Sequence, residues 1–217
     1  MDRDKASELT ANILPGEAIE FEDVNIVTPK DVALVKGLSF KVEVGSSLLL
    51  TGHNGAGKSS IFRCLAGLWK ADGVIRRPGG LASGLHQDIF YIPQRPYNVI
   101  GTLIDQLTYP DTSGGEDLTR EQVAALLESV DLGHLLERED ALTNNEIVWE
   151  DELSLGGKQR LAIARLVHHK PRFAILDECS SAITSEMEQR LYRICKENEI
   201  TCAFRTSRAC CSEAWRS

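Results

Sequence analysis

GHNGAGKS, residues Gly52 to Ser59, is the stretch that decides the fold of this chain. It fits GxxxxGK[ST], and its flanks are those the pattern needs. SLLLT, residues 47–51, is a short apolar run of the kind that forms a strand buried on both faces. KSSIFRCLAGLW, residues 58–69, places Ile61, Phe62, Leu65 and Leu68 at helical spacing. Strand, glycine-rich turn and helix follow one another directly. Gly52, Gly55 and Gly57 allow backbone conformations that side chains disfavour, so successive N–H groups turn inward as an anion nest at the positive end of a helix dipole. Lys58 is placed to reach phosphate oxygens, and the Ser59 hydroxyl to ligate Mg²⁺. His53, Asn54, Ala56 and Ser60 complete the cofactor-binding loop. For His53 itself, phosphate contact and plain solvent exposure both stay open.

A phosphate loop needs acid elsewhere. RFAILDE, residues 172–178, is an apolar strand stopping in two carboxylates. Asp177 suits a Mg²⁺ ligand, and Glu178 suits the group that orients and deprotonates an attacking water. Alone, the pair would read as a solvated strand end.

Outward from these motifs the chain alternates strands and helices, which implies a mainly parallel sheet. Alternation also starts at Ile19 and recurs in LSFKVEV, where Leu38, Phe40, Val42 and Val44 share a face across a turn at TPKD, an N-terminal antiparallel β region. GVIRRPGGLASG, from Gly73, reads as a short strand and loop, and IFYI, Ile89 to Ile92, as a buried strand. Residues 100–165 change character to short amphipathic helices, an inserted helical lobe with a capping box at Thr119 and Gln122. KQRLAIARLVHHK is a further helix, whose His168 and His169 favour its dipole. SEMEQRLYRICKE is another, with Ser185 and Glu188 as its capping pair, and EITCAF is the last strand. The expected fold class is therefore α/β, a P-loop core carrying an antiparallel β region and a helical lobe. Residues 1–17 read as a flexible polar leader, 18–208 as the domain, and 209–217 as a divergent tail.

Composition agrees. The 217 residues hold 24 Lys+Arg against 32 Asp+Glu, a net charge of −8, with 42% hydrophobic residues. A chain of this size buries roughly 70% of its unfolded surface and needs no staples. The acidic balance argues against a nucleic-acid partner. No apolar run reaches the length of a bilayer span, and the N-terminus has no apolar signal core. The six cysteines show no metal-ligand spacing. Cys179 reads as a small buried residue and Trp149 as packing.

Between the two phosphate-site motifs lie YIPQRPY, Tyr91 to Tyr97, and ELSLGGKQRLAIAR, Glu152 to Arg165; after them comes DECSSAIT. This order resembles the nucleotide-binding domain of ATP-binding cassette (ABC) transporters, over about residues 19–208. The phrases IVTP, GKSSIFRCLAGLW, IFYIPQRPY, GTLIDQLTYPD and HHKPRFAILDECSSAIT look like subfamily D, the peroxisomal half-transporters, in particular the plant and algal type that imports fatty acyl-CoA. The resemblance implies ATP and Mg²⁺ as ligands. It implies that Gln94 contacts Mg²⁺ or the attacking water, and that Ser154 and Gly156 meet the γ-phosphate of a second, head-to-tail domain. Ser181 and Ala182 would line that interface. Arg95 and Tyr97 are candidates for contact with a membrane-spanning domain. The implied location is the cytosolic face of the peroxisomal membrane.

Four departures qualify the resemblance. Thr28, followed by Pro29, stands where an adenine-stacking aromatic is common. The signature reads LSLGGKQR, with Leu155 at a usual glycine and Gly157 at a usual glutamate. Ser207 stands at the switch histidine, and no histidine follows His169. Losing one such donor typically costs about 10²–10³ in rate, so slow hydrolysis is expected. Finally, subfamily D proteins normally fuse a membrane domain ahead of this one; fragment and stand-alone subunit both stay open. The rival readings are a non-catalytic ATP-binding partner, favoured by Ser207 and Gly157, and a small phosphotransferase, opposed by the Gln94 and signature segments.

Overall fold

A computed structural model describes residues 13–28, 32–53, 55–80, 88–111 and 118–205. The elements run β1 (Ile13–Pro15), β2 (Ile19–Val27), β3 (Ala33–Val42), β4 (Leu48–Leu50), α1 (Lys58–Leu65), β5 (Ala71–Arg77) and β6 (Ile89–Ile92). Then come α2 (Leu103–Thr108), α3 (Arg120–Glu128), a 3₁₀ turn (Gly133–Glu137), α4 (Trp149–Glu152), α5 (Leu155–His169), β7 (Phe173–Asp177), α6 (Ser185–Glu197) and β8 (Thr201–Arg205).

Among the described residues, two four-stranded sheets form. The first has order β1-β5-β2-β3; β2 pairs antiparallel with both β3 and β5, and β1 pairs parallel with β5. The second is all parallel, in the order β4-β8-β7-β6. Period-two alternation along β7 divides the interior. Phe173 and Ile175 join Ile89, Ala203 and the apolar face of α1 (Ile61, Phe62, Leu65) in one core, which continues into the first sheet through Phe21, Ile26 and Ile75. Ala174 and Leu176 face the other way, with Phe90, Ile92, Cys202 and Phe204, into a core shared with α5, α6 and the helical lobe. Trp149 lies in that second core and donates through Nε1 to the Gly101 carbonyl, 2.7 Å away.

Several expectations need correction. β4 is an edge strand rather than a doubly buried one, and Leu49 is 38% exposed. α1 ends at Leu65, leaving Leu68 exposed, and β3 ends at Val42, leaving Val44 exposed. β1 arises inside the stretch read as a flexible leader, because Ile13 has a core to enter. The cap of α6 is Thr184, whose hydroxyl accepts from Met187 N–H; Ser185 is the first helical residue. Glu188 is unavailable as a capping partner, since it is buried and accepts from Ser180 Oγ (2.6 Å) and Tyr192 OH (3.0 Å). His169 does more than sit on a dipole: its ring stacks on Phe90 and a ring nitrogen lies 3.0 Å from the Tyr109 carbonyl. Capping at Thr119 with Gln122 is as expected, and Thr28 closes its turn by N–H donation to the Val32 carbonyl. Among the described residues, no helix is long and apolar enough to cross a membrane.

Candidate functional site

The carboxyl ends of β4, β8 and β7 lie side by side, which is where open α/β sheets hold ligands. The glycine loop leaves β4 and enters α1. Gly52, Gly55 and Gly57 have φ of 140°, 85° and 82°, so all three use the left-handed region open to glycine. At Gly57 a second constraint applies: a Cβ would sit 3.0 Å from Val35 Cγ2 of β3. Gly57 is the N-cap of α1 and supplies no side-chain cap, so the N-cap itself leaves the first amides of this helix unclaimed. Lys58 is buried and curls back over the loop, donating to the carbonyls of Gly52 (2.6 Å) and His53 (2.7 Å). His53 and Gly55 are exposed, Ala56 and Ser59 are half-buried, and Ser60 is buried. Asn54 lies outside the described residues, as do Pro29, Ser207 and the cysteines of the tail.

Asp177 ends β7 and is buried; Glu178 follows at φ 51°. A left-handed non-glycine backbone costs on the order of 1–3 kcal/mol. It is held here by donation from Glu178 N–H to the Arg205 carbonyl, 2.9 Å. Tyr91 OH donates to Asp177 Oδ2 at 2.8 Å. Burial, and then the Asp177 charge, push the Tyr91 hydroxyl well above its usual range, so it stays a donor.

No motif points to the next participant. Arg205, the last residue of β8, donates from one nitrogen to both Ser59 Oγ (2.5 Å) and Asp177 Oδ1 (2.6 Å). Its other terminal nitrogen lies 3.1 Å from Glu178 Oε1. A hydroxyl and a carboxylate therefore converge on one point, and the point holds positive charge. Hard oxygen donors of this kind suit Mg²⁺, which is normally held by one or two protein ligands plus phosphates. Among the described residues no group of three or more His, Cys, Asp and Glu could hold a metal alone. The residues thus fit a metal completed by a nucleotide, with Arg205 on the same donors.

The signature and the segments after β6 and β7 meet at another buried residue that sequence reasoning passed over. Gln159 of α5, fully buried, donates through Nε2 to the Gln94 carbonyl (2.8 Å) and Ser181 Oγ (2.9 Å), and accepts from Ala182 N–H (2.9 Å). One side chain thereby fixes three motif segments. Gln94 is positioned through its backbone and is itself exposed. Gly156 packs so close to the Ala182 carbonyl that a Cβ there would lie 2.6 Å from its oxygen. Ser154 caps α5, its Oγ accepting from Gly157 N–H at 3.2 Å, which gives the exposed serine a fixed rotamer. Arg165, further along α5, is buried and donates to the Tyr97 carbonyl (2.6 Å), Asn98 Oδ1 and the Gln106 carbonyl. Burial pushes its guanidinium down to about 10. Arg95 and Tyr97 beside it are exposed, as a docking role requires. Cys179 is buried and its thiol is pushed up by burial, which keeps it protonated and inert.

Comparison with known proteins gives consistent results. A family described as "ABC transporter" matches residues 35–181. "ABC transporter D family member 1" of Arabidopsis thaliana is 55% identical over 175 residues, covering 79% of this chain and 13% of that protein. "ATP-binding cassette sub-family D member 3" of Homo sapiens is 44% identical over 194 residues, covering 87% of this chain and 28% of the relative. The chain therefore spans a small part of the curated relatives it matches. A solved bacterial Atm1-family ABC exporter with ATP bound superposes with a TM-score of 0.74, over 93% of this chain and 37% of that one; at 24% identity this likeness speaks to the fold alone.

Proposed function

The chain belongs to the ABC transporter family, with its relatives in subfamily D, and from that premise we propose that it binds MgATP and hydrolyses it to drive transport. One observation carries the reading: an uncapped glycine-rich helix start, with Lys58 over it, stands beside the converging oxygens of Ser59, Asp177 and Glu178.

The residues divide the work as follows. Backbone N–H groups of Gly52–Ser60 surround the phosphates, and Lys58 leaves two neutral carbonyls for phosphate oxygens, a stronger charge-assisted bond. Ser59, Asp177 and Gln94 are the Mg²⁺ ligands; bound there, the ion would neutralise developing phosphate charge. Glu178 orients and deprotonates the attacking water, once its carboxylate is released from Arg205. Ser154 and Gly156, held rigid by their own chain, face a second nucleotide-binding domain in a head-to-tail dimer. A membrane-spanning domain receives the motion through Gln94, Arg95 and Tyr97. By resemblance to subfamily D, the site of action is the cytosolic face of the peroxisomal membrane and the cargo a fatty acyl-CoA or related lipid.

A second reading is favoured by Arg205 lying on both Asp177 and Glu178: the domain binds ATP as one half of an asymmetric pair and turns it over slowly. Single-turnover hydrolysis with Mg²⁺, run beside Lys58→Ala and Glu178→Gln, separates the readings. Binding lost with Lys58, and turnover lowered about 10²-fold or more with Glu178→Gln, is the expected result for a working motor. Lys58-dependent binding with no Glu178-dependent turnover supports the slow partner. Binding indifferent to Lys58 sinks both.

A further inference from the structure

We propose that Arg205 is a built-in cation standing in the metal position, so that this chain binds nucleotide with little need for a divalent ion. The proposal rests on the reading that Gly52–Ser59 holds nucleotide, and it concerns what neutralises that nucleotide.

Strand order makes the placement unavoidable. β8 is inserted between β4 and β7, and Arg205 is in register with Leu50 on one side and Asp177 on the other. Any long side chain at the end of β8 therefore stands between the glycine loop and the terminal carboxylates. This one carries a permanent positive charge. It bonds two of the three residues assigned to Mg²⁺, through Ser59 Oγ and Asp177 Oδ1, and also the base, Glu178. Tyr91 occupies the other oxygen of Asp177, so neither carboxylate oxygen is idle. The guanidinium side chain is only 18% exposed.

Two consequences follow. For Ser59 and Asp177 to hold Mg²⁺, Arg205 would have to give up its charge-assisted bonds to both, and its like charge would stand beside the ion. Conversely, the charge that Mg²⁺ normally brings is already present. One donor also remains over: Arg205 Nε is buried and has no hydrogen-bond partner among the described residues. A guanidinium recognises phosphate oxygens well, and a bound nucleotide supplies that missing acceptor class. The same contacts keep Glu178 from acting as a base until the guanidinium moves, so weak metal dependence and slow turnover share one cause.

The test is a fluorescence titration of the full chain with a ribose-labelled ATP analogue, in excess Mg²⁺ and again in EDTA. The wild-type Kd should change by less than about threefold between the two conditions, within the contextual spread of one weak interaction. Arg205→Met and Arg205→Gln should make binding Mg²⁺-dependent by about tenfold or more, as expected when a neutralising charge has to be supplied from solution. Arg205→Lys, which keeps the charge, should behave like wild type and guards against a variant that merely fails to fold. Equal Mg²⁺ dependence in wild type and Arg205→Gln, with binding still lost in Lys58→Ala, overturns the role of Arg205 and leaves the nucleotide reading intact. Binding that ignores Lys58 in both conditions overturns the nucleotide reading and this inference with it.

Discussion

The amino ends of α1 and α5 present the same dipole and the same run of first-turn amides, yet they are finished differently. α1 begins at a left-handed glycine and has no side-chain cap. α5 begins at Ser154, whose hydroxyl takes the Gly157 amide, and it is further tied by Gln159 to the segments carrying Gln94, Ser181 and Ala182. Elsewhere, α2, α3 and α6 carry threonine caps of the ordinary kind. A helix end that satisfies itself is a structural part; an end left unsatisfied needs something from outside. The first is suited to receiving phosphate within this chain, and the second to presenting an already rigid surface to another molecule.

Closing the open end should have the largest effect. Gly57→Ser introduces the hydroxyl that α2, α3, α5 and α6 use, but φ is 82° and the new Cβ would press on Val35. Nucleotide binding should fall by more than about tenfold, because the nest of amides is distorted, and stability by about 1–2 kcal/mol. Isothermal titration with ATP and a thermal melt check the two parts; unchanged binding would mean the loop is not the phosphate site. Next, Gln159→Leu removes three bonds at once and strands the Ala182 amide. A loss of about 2–3 kcal/mol in chemical denaturation is expected, with ATP affinity measured without Mg²⁺ almost unchanged, since Gln159 bonds the segments carrying Gln94, Ser181 and Ala182 rather than the glycine loop. A large loss of affinity instead would show that the two ends are coupled within one chain. Ser154→Ala should cost about 1 kcal/mol, the ordinary value of a helix cap, and a smaller loss would mean that the serine is poised for a partner rather than for its own helix.

How much of this was legible beforehand depends on whether a feature is local. The loop, the Thr119 cap and the buried apolar strand β7 follow from neighbours in the chain, and sequence reasoning found them. The cap of α6 pitted two adjacent hydroxyls, Thr184 and Ser185, against each other. It was decided by Ser180 and Tyr192, which claim Glu188 from outside the pattern. The exposure of Leu49 depends on β4 standing at a sheet edge. Arg205 and Gln159 were invisible for the same reason. Nothing in TCAFR says that its strand is inserted between β4 and β7, and the signature pattern names a glutamine without naming its partners.

The smallest expected effect lies at the far end of α5. His168 is half-buried, and burial lowers its pKa from 6.5, opposed by the charge of Asp111. Because the folded state holds the proton less firmly, the neutral form's stability is present above pH 6.5 and declines as pH falls below it. Replacing His168 with Gln should flatten the fall in Tm between pH 6.5 and 5 by about 2 °C, with no change above pH 7. An unaltered slope would mean that His168 is not the source of the acid sensitivity.

The alternating side chains of β7 have a bearing on how this domain comes apart. Phe173 and Ile175 belong to one core, Ala174 and Leu176 to the other, and the strand is paired on both edges. Neither core can loosen without baring a face of the same five residues. Their amides should therefore exchange with solvent only when the whole domain opens, while those of β4 exchange through local fraying. Melting is then a single event, and the strand that delivers Asp177 is the last to let water in.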